Sequence, residues 1–383
     1  MNVRTAAGRA AVRLARSLRP IVASPRRRWL IGALVLAVLA VALLGRDDLV
    51  RTGRALAGAD WRWAGAAVAL MLVSLALRSL ALQLIVGALG TLRTRFVEAF
   101  SATSIGLLAN AVAPVRAGTV LSPYVLYVLV RRRRAHLPFA TAVGDTLTER
   151  MFAMASFLAL ALLFLGGLEA PPWAHHILLV STGLIAVPIV GGIVLDRRRE
   201  KVRESCERGG ERWRRAALWL PQLIDSQRIW RRPAAALGVS AIQVLAWVAQ
   251  LAAAVAMLEA FHMGAAGLRG AALVIVLTNL ISLVPATPGN VGTFQVAAVA
   301  ALAAYGVAPG PALAYALGLQ ALQLAVAVVA GLAALAGHGL TLAELAGRSR
   351  QAAAALGNAD AKVAAALGGA EARVAPAEGS AGS

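Results

Sequence analysis

Trp63-Ala64-Gly65-Ala66-Ala67-Val68-Ala69-Leu70-Met71-Leu72-Val73-Ser74-Leu75-Ala76-Leu77-Arg78-Ser79-Leu80-Ala81-Leu82-Gln83-Leu84-Ile85-Val86-Gly87-Ala88-Leu89 decides what kind of molecule this chain is. It runs for 27 residues with one charge, Arg78. A helix rises about 1.5 Å per residue and the bilayer core is about 30 Å thick, so about 20 apolar residues suffice to cross it. Runs of the same kind recur at Trp29–Leu44, Phe139–Leu168, Ala174–Leu195, Ala234–Phe261 and Pro311–Ala336. Two more, Phe96–Val130 and Ala271–Tyr305, are interrupted in the middle by Pro and Gly. The pattern predicts an all-α polytopic membrane protein with six to ten transmembrane helices, eight being the central expectation, and two Pro/Gly-broken segments that are re-entrant or fully spanning.

Composition agrees. The 383 residues have a mean hydropathy of +0.72, with 59% hydrophobic and only 15% charged residues. Soluble domains carry about a quarter charged residues. The single cysteine, Cys206, excludes a disulfide framework and any Cys-cluster metal site. The net charge of +20 is harder to place in so apolar a chain. Residues 1–28 hold eight arginines and no acid, 131–134 are four arginines, and 196–232 carry twelve Lys/Arg against six acids. These three segments hold 18 of the 20 net charges. Each borders an apolar run, and basic loops of this kind stay cytoplasmic. The charge is therefore read as topology, and no nucleic-acid partner is expected, since no polar domain interleaves basic with aromatic residues.

Cytoplasmic placement of 1–28, 131–134 and 196–232 gives a consistent path with both termini in the cytoplasm. The first apolar run is expected to be a retained anchor: Gly45-Arg46-Asp47-Asp48 follows it and no Ala-x-Ala cleavage site is evident. The arm before it suits an anionic lipid surface or a basic tail without structure. The segment 341–383 is Ala/Gly-rich and expected to be disordered. The intervening 29–340 form the membrane domain.

The interruptions carry the functional reading. Both contain Pro-x-x-x-Gly-Thr: Pro114 to Gly118-Thr119, and Pro288 to Gly292-Thr293, with Gly289 beside the second proline. Proline removes a backbone donor and glycine accepts non-helical angles. Lipid cannot satisfy the freed groups, so such backbone faces protein or a wet cavity. Paired interruptions mark a transporter site; turns between ordinary helices are the plainer alternative. Arg116, Asn110, Asn279, Asn290 and Gln295 lie in or beside the breaks and are candidate headgroup ligands, as is Arg78. Arginine suits a phosphate because it stays charged and binds it bidentately. Arg78 alternatively pairs with Glu149 or Asp145, which stand four residues apart before Arg150. Gln243, Gln250, Gln295, Gln320 and Gln323 suit helix–helix contacts. No metal-ligand spacing, P-loop, dinucleotide fingerprint or Gly-x-Ser-x-Gly is present. No cofactor, metal or catalytic residue is expected.

Ile105-Gly106-Leu107-Leu108-Ala109-Asn110, Pro114-x-Arg116-Ala117-Gly118, Ala142-Val143 with Glu149-Arg150, Pro288-Gly289-x-x-Gly292-Thr293 and Tyr305-Gly306-Val307 occur in order, followed by an Ala-rich helix with Gln320. Over residues 30–340 the chain resembles the lysylphosphatidylglycerol synthase transmembrane-region family, also called flippase-like domain proteins. The resemblance implies a membrane protein related to the domain that moves aminoacylated phosphatidylglycerol between leaflets. It does not imply synthesis, which belongs to a separate soluble domain, and a stand-alone member is expected here. Many relatives carry an acid and, three residues later, an arginine where this chain has Thr119 and Ser122; some carry acids where Gln295 and Ala153 stand. Acid and base are lost together, as partners in one ion pair would be.

The leading expectation is a non-enzymatic flippase or transporter of a phospholipid or lipid-linked molecule, with membrane lipids as partners and a wet groove between the two breaks. A membrane-embedded transferase using Asp145, Glu149 or His136, and a structural partner of a lipid-synthesis enzyme, are the alternatives.

Overall fold

The computed structural model describes residues 46–88, 94–112, 118–133, 137–166, 226–282, 290–340 and 344–345, with isolated positions between 182 and 201. The arm 1–28, the anchor Trp29–Leu44, most of Ala174–Leu195, the loop before residue 226 and the tail after residue 345 lie outside the described residues. Among those described, every element is helical.

Helix α1, Arg46–Ala57, precedes the long apolar helix α2, Trp61–Ala88. The first broken stretch becomes α3, Phe96–Val112, and α4, Gly118–Arg132. Helix α5 is Phe139–Gly166, followed by a short 3₁₀ turn, Ser226–Arg231, and α6, Pro233–Ala260. The second broken stretch becomes α7, Gly267–Ile281, entered through the 3₁₀ turn Gly264–Ala266, and α8, Thr293–Ala303; α9 is Pro309–His338. Pro233 and Pro309 open α6 and α9, where the missing N–H costs nothing.

Among the described residues, five segments are long and apolar enough to cross a membrane: Trp61–Ala88, Phe139–Leu163, Pro233–Ala260, Gly264–Ile281 and Pro309–His338. The broken stretches thus differ. The first has legs of 17 and 15 residues, about 25 and 22 Å by helical rise, whereas the second joins a crossing-length segment to an 11-residue helix.

The chain divides into two compact units, one of Met1–Val68, Ala111–Val115 and Leu251–Leu324, the other of Ala69–Asn110, Arg116–Gln250 and Ala325–Ser383. Helices α2, α3, α6 and α9 contribute residues to both. In the first unit α7 packs on α8. Buried Tyr315 of α9 donates its hydroxyl to the Ala254 carbonyl at 3.1 Å and meets Phe261 edge-on. A side chain at Gly318 would strike that Phe261 ring, so glycine permits the approach.

In the second unit α3 and α4 form a close helical hairpin. A Cβ on Gly106 would touch Ser122, and one on Gly118 would run into the Gly106 carbonyl. Small residues bring helices together where lipid gives no apolar incentive to associate. The free ends of the hairpin meet in an ion pair, Arg133 Nη1 to Glu98 Oε1 at 3.0 Å. The stretch therefore begins and ends at one end of its unit, as the charge pattern requires. Tyr124, Tyr127 and Phe139 cluster where α4 meets α5.

The 3₁₀ turn Ser226–Arg231 has no counterpart in the sequence reading, which places it in a basic loop. Here Trp230 stacks on Phe152 of α5, ring centres 4.1 Å apart and planes within 11°. Gln227 donates to Thr148 Oγ1 at 2.9 Å, and Ile229 is fully buried.

Candidate functional site

A polar cluster occupies the middle of the second unit's long helices. Arg78 on α2, Glu149 on α5 and Gln243 on α6 each lie ten residues from the helix end nearest the basic segments: Ala88, Phe139 and Pro233. Ten residues of helix rise about 15 Å, half the thickness of a bilayer core. Three separate helices thus deliver polar side chains at one depth, where a charge is costly and is kept only with partners.

The partners are specific. Arg78 Nη2 donates to Gln250 Oε1 at 2.9 Å, and its guanidinium carbon lies 4.4 Å from the centre of the Trp247 ring. Trp247 is held in turn by its Nε1–H, which donates to the Ala153 carbonyl of α5 at 2.8 Å. Gln243 Nε2 donates to Glu149 Oε1 at 2.6 Å. The charges that act on Glu149 are those of Arg78 and Arg150. Arg150 reaches Thr119 Oγ1 of α4 at 3.3 Å. With Glu149 ionised, the two arginines leave the cluster one net positive charge. Arg78, Glu149, Arg150 and Gln250 are each only half-buried, so the cluster has an open side.

Of the two carboxylates expected as alternatives, Glu149 is the one whose charge acts on Arg78, without a contact ion pair. Asp145 instead lies one turn earlier on α5, 1% exposed, beside Ser226 of the 3₁₀ turn. Four of the five glutamines join helices: Gln243 bonds Glu149, Gln250 bonds Arg78, and Gln295 donates to Gln320 across α8 and α9. Trp247 was not singled out by sequence reasoning. Its only signal there is a tryptophan three residues before Gln250 inside an otherwise aliphatic run.

At the first break, Asn110 Oδ1 accepts the backbone N–H of Gly118 at 2.9 Å, capping α4 from the last turn of α3. At the second, Gln295 Oε1 accepts the Gly292 N–H at 2.6 Å, and Asn290 Nδ2 donates to Ser282 Oγ at 2.9 Å. Asn290 and Gly292 both adopt positive φ, 55° and 91°. Asn279 folds back on α7, donating to the Ile275 carbonyl at 2.8 Å. The amides at both breaks thus serve the protein's own chain ends. Pro114, Arg116, Pro288 and Gly289 lie outside the described residues. The candidate residues fall into two groups, one per unit: Arg78, Asn110, Gly118, Glu149 and Arg150 in the second, Asn279, Asn290, Gly292 and Gln295 in the first.

A family model described as the lysylphosphatidylglycerol synthase TM region matches residues 29–331. The chain belongs to this family. No curated protein and no solved structure matches it. Membership, with five crossing-length helices, establishes an integral, multi-pass membrane protein of the flippase-like family. The match takes in both broken stretches and every residue of the mid-depth cluster.

Proposed function

We propose that the protein moves an anionic phospholipid or lipid-linked molecule between the leaflets of a bacterial inner membrane, without chemical change to the lipid. The observation that carries this reading is the half-open cluster of Arg78, Glu149, Gln243 and Gln250 at about mid-bilayer depth. A phosphate crossing a bilayer meets its highest barrier there, because hydrocarbon offers no hydrogen bonds. A surplus positive charge lowers that barrier, while the nearby Glu149 carboxylate keeps the site from holding the phosphate permanently. Binding strong enough to enter and weak enough to leave is the general requirement of a conduction site. Acyl chains remain in the lipid throughout. The basic segments keep both termini and the 196–232 loop on the cytoplasmic side.

The test is reconstitution in liposomes with a fluorescent headgroup-labelled phosphatidylglycerol in both leaflets, followed by chemical quenching of the outer one. Protein that accelerates exchange, and an Arg78→Gln variant that folds but exchanges about tenfold more slowly, support the reading; removal of one charge-assisted contact from a transition state has this scale. Folded protein that accelerates no member of a broad lipid panel refutes it.

A further inference from the structure

At the arginine-rich end of the second unit, an open cleft of about 720 Å³ lies where α2 and α4 end and α3 and α6 begin. It shares no residue with the mid-depth cluster. Its lining is divided by chemistry: Gln83, Thr94, Arg95 and Arg133 form a polar end, and the rest is apolar or small, including Leu84, Gly87, Gly238 and Val239.

Among the described residues, the polar end carries donors without protein acceptors. Thr94 is 4% exposed and its Oγ1 has no hydrogen-bond partner, although its carbonyl accepts from Gln83 Nε2 at 2.9 Å. Buried hydroxyls without a partner are rare and call for a missing group. The next residue, Arg95, is exposed, and its guanidinium makes no hydrogen bond or ion pair among the described residues. Arg133 uses only Nη1 on Glu98, at 3.0 and 3.1 Å from the two carboxylate oxygens, which leaves Nη2 and Nε free there. Glu98 is occupied by Arg133 and by the Arg95 backbone N–H at 2.9 Å, so among the described residues no carboxylate pairs with the Arg95 guanidinium. Thr94 and Arg95 also lead directly into α3, whose first-turn N–H groups favour negative charge.

The apolar end has room for a chain. A Cβ built on Gly87 or on Gly238 meets nothing within 4 Å, so these helix surfaces are bare by composition. Leu84, Gly87 and Gly238, which line it, are exposed. A free phosphate would use the arginine end only.

We infer that this cleft docks an anionic phospholipid, its phosphate held by Arg95 and Arg133, and one acyl chain lying over Gly87 and Gly238. This goes beyond the transport reading, since occupancy is measured with no lipid movement and either can fail alone.

The experiment measures affinity of the full chain, purified in a neutral detergent, for short-chain phosphatidylglycerol, short-chain phosphatidylcholine and inorganic phosphate. Phosphatidylglycerol is expected to bind tightest. Arg95→Gln should weaken it about tenfold and Arg95→Lys much less, since the charge-assisted contact is lost in one and kept in the other. Gly238→Leu should also weaken it about tenfold by filling the groove, without altering any charge, while Gly238→Ala stays near wild type. If Gly238→Leu does not fold, Gly87→Leu closes the same groove from α2. Phosphatidylcholine binding equally well, or folded Arg95→Gln and groove-filling variants that keep wild-type affinity, would overturn the inference. So would inorganic phosphate binding as tightly as the lipid, because the occupant would then be a soluble anion.

Discussion

The guanidinium of Arg78 lies over the indole of Trp247, 4.4 Å from carbon to ring centre. The aromatic face spreads over one side of the cation, Gln250 takes a donor at 2.9 Å, and Glu149 supplies the opposing charge. An arginine at half-bilayer depth is thereby kept soluble in the protein without a contact ion pair, which would quench it. A cation so held can still meet a second anion.

Trp247 should divide into two separable roles. Trp247→Ala removes a large buried ring and is expected to cost about 3 kcal/mol or more. Trp247→Phe keeps an aromatic face for Arg78 and loses the 2.8 Å bond to the Ala153 carbonyl, at about 1 kcal/mol. Unfolding measured in mixed micelles gives both values, and equal losses would contradict this division.

Arg78 and Glu149 should be coupled. Arg78→Met leaves a carboxylate at membrane depth without its main counter-charge, a change worth about 3 kcal/mol. Glu149→Gln added to it should restore part of that loss, with a coupling of about 1–3 kcal/mol in a double-mutant cycle. Strict additivity would mean that the two residues do not act on each other.

Gly118→Ala should disrupt the α3–α4 hairpin, because the new methyl group would collide with the Gly106 carbonyl. Overpacking of this kind costs about 1–3 kcal/mol or more. Gly65→Ala on α2 meets nothing within 4 Å and is expected to be neutral or to stabilise by up to about 1 kcal/mol through helix propensity. Melting temperatures of the pair in detergent make the comparison.

Asn290 should tolerate glycine better than alanine. Both substitutions lose the 2.9 Å bond to Ser282, about 1 kcal/mol, but only alanine must also hold φ at 55°, at about 1 kcal/mol more. A stability series of Asn290→Gly and Asn290→Ala that ranks them the other way would show that the side-chain bond alone fixes this turn.

The long helices were legible in the sequence to within a few residues: Trp63–Leu89 became Trp61–Ala88, Ala234–Phe261 became Pro233–Ala260, and Pro311–Ala336 became Pro309–His338. Hydrocarbon thickness sets their length, and length is written directly in the apolar runs. Both interruptions were legible too, because Pro and Gly act on their own backbone. What each residue faces was not. An interior residue and a lipid-facing one are equally apolar in a membrane protein, so periodicity does not separate Leu82, 2% exposed, from Leu84, 40% exposed. The partners of Arg78 lie more than 160 positions away on α6, and no local pattern announces them. The turn Ser226–Arg231 escaped because it is six residues long and set in a charged segment, and only its Ile229 and Trp230 hint that it is packed.

That stack of Trp230 on Phe152, with Gln227 on Thr148, gives the basic segment a fixed mooring. Thr148 and Phe152 sit on the same turns of α5 as Glu149, so the mooring post and the mid-depth carboxylate are one rigid piece. A force that reaches the Ser226–Arg231 turn is therefore passed to α5 through the ring stack and the Gln227–Thr148 bond. The turn is thereby a lever whose short arm ends at Glu149.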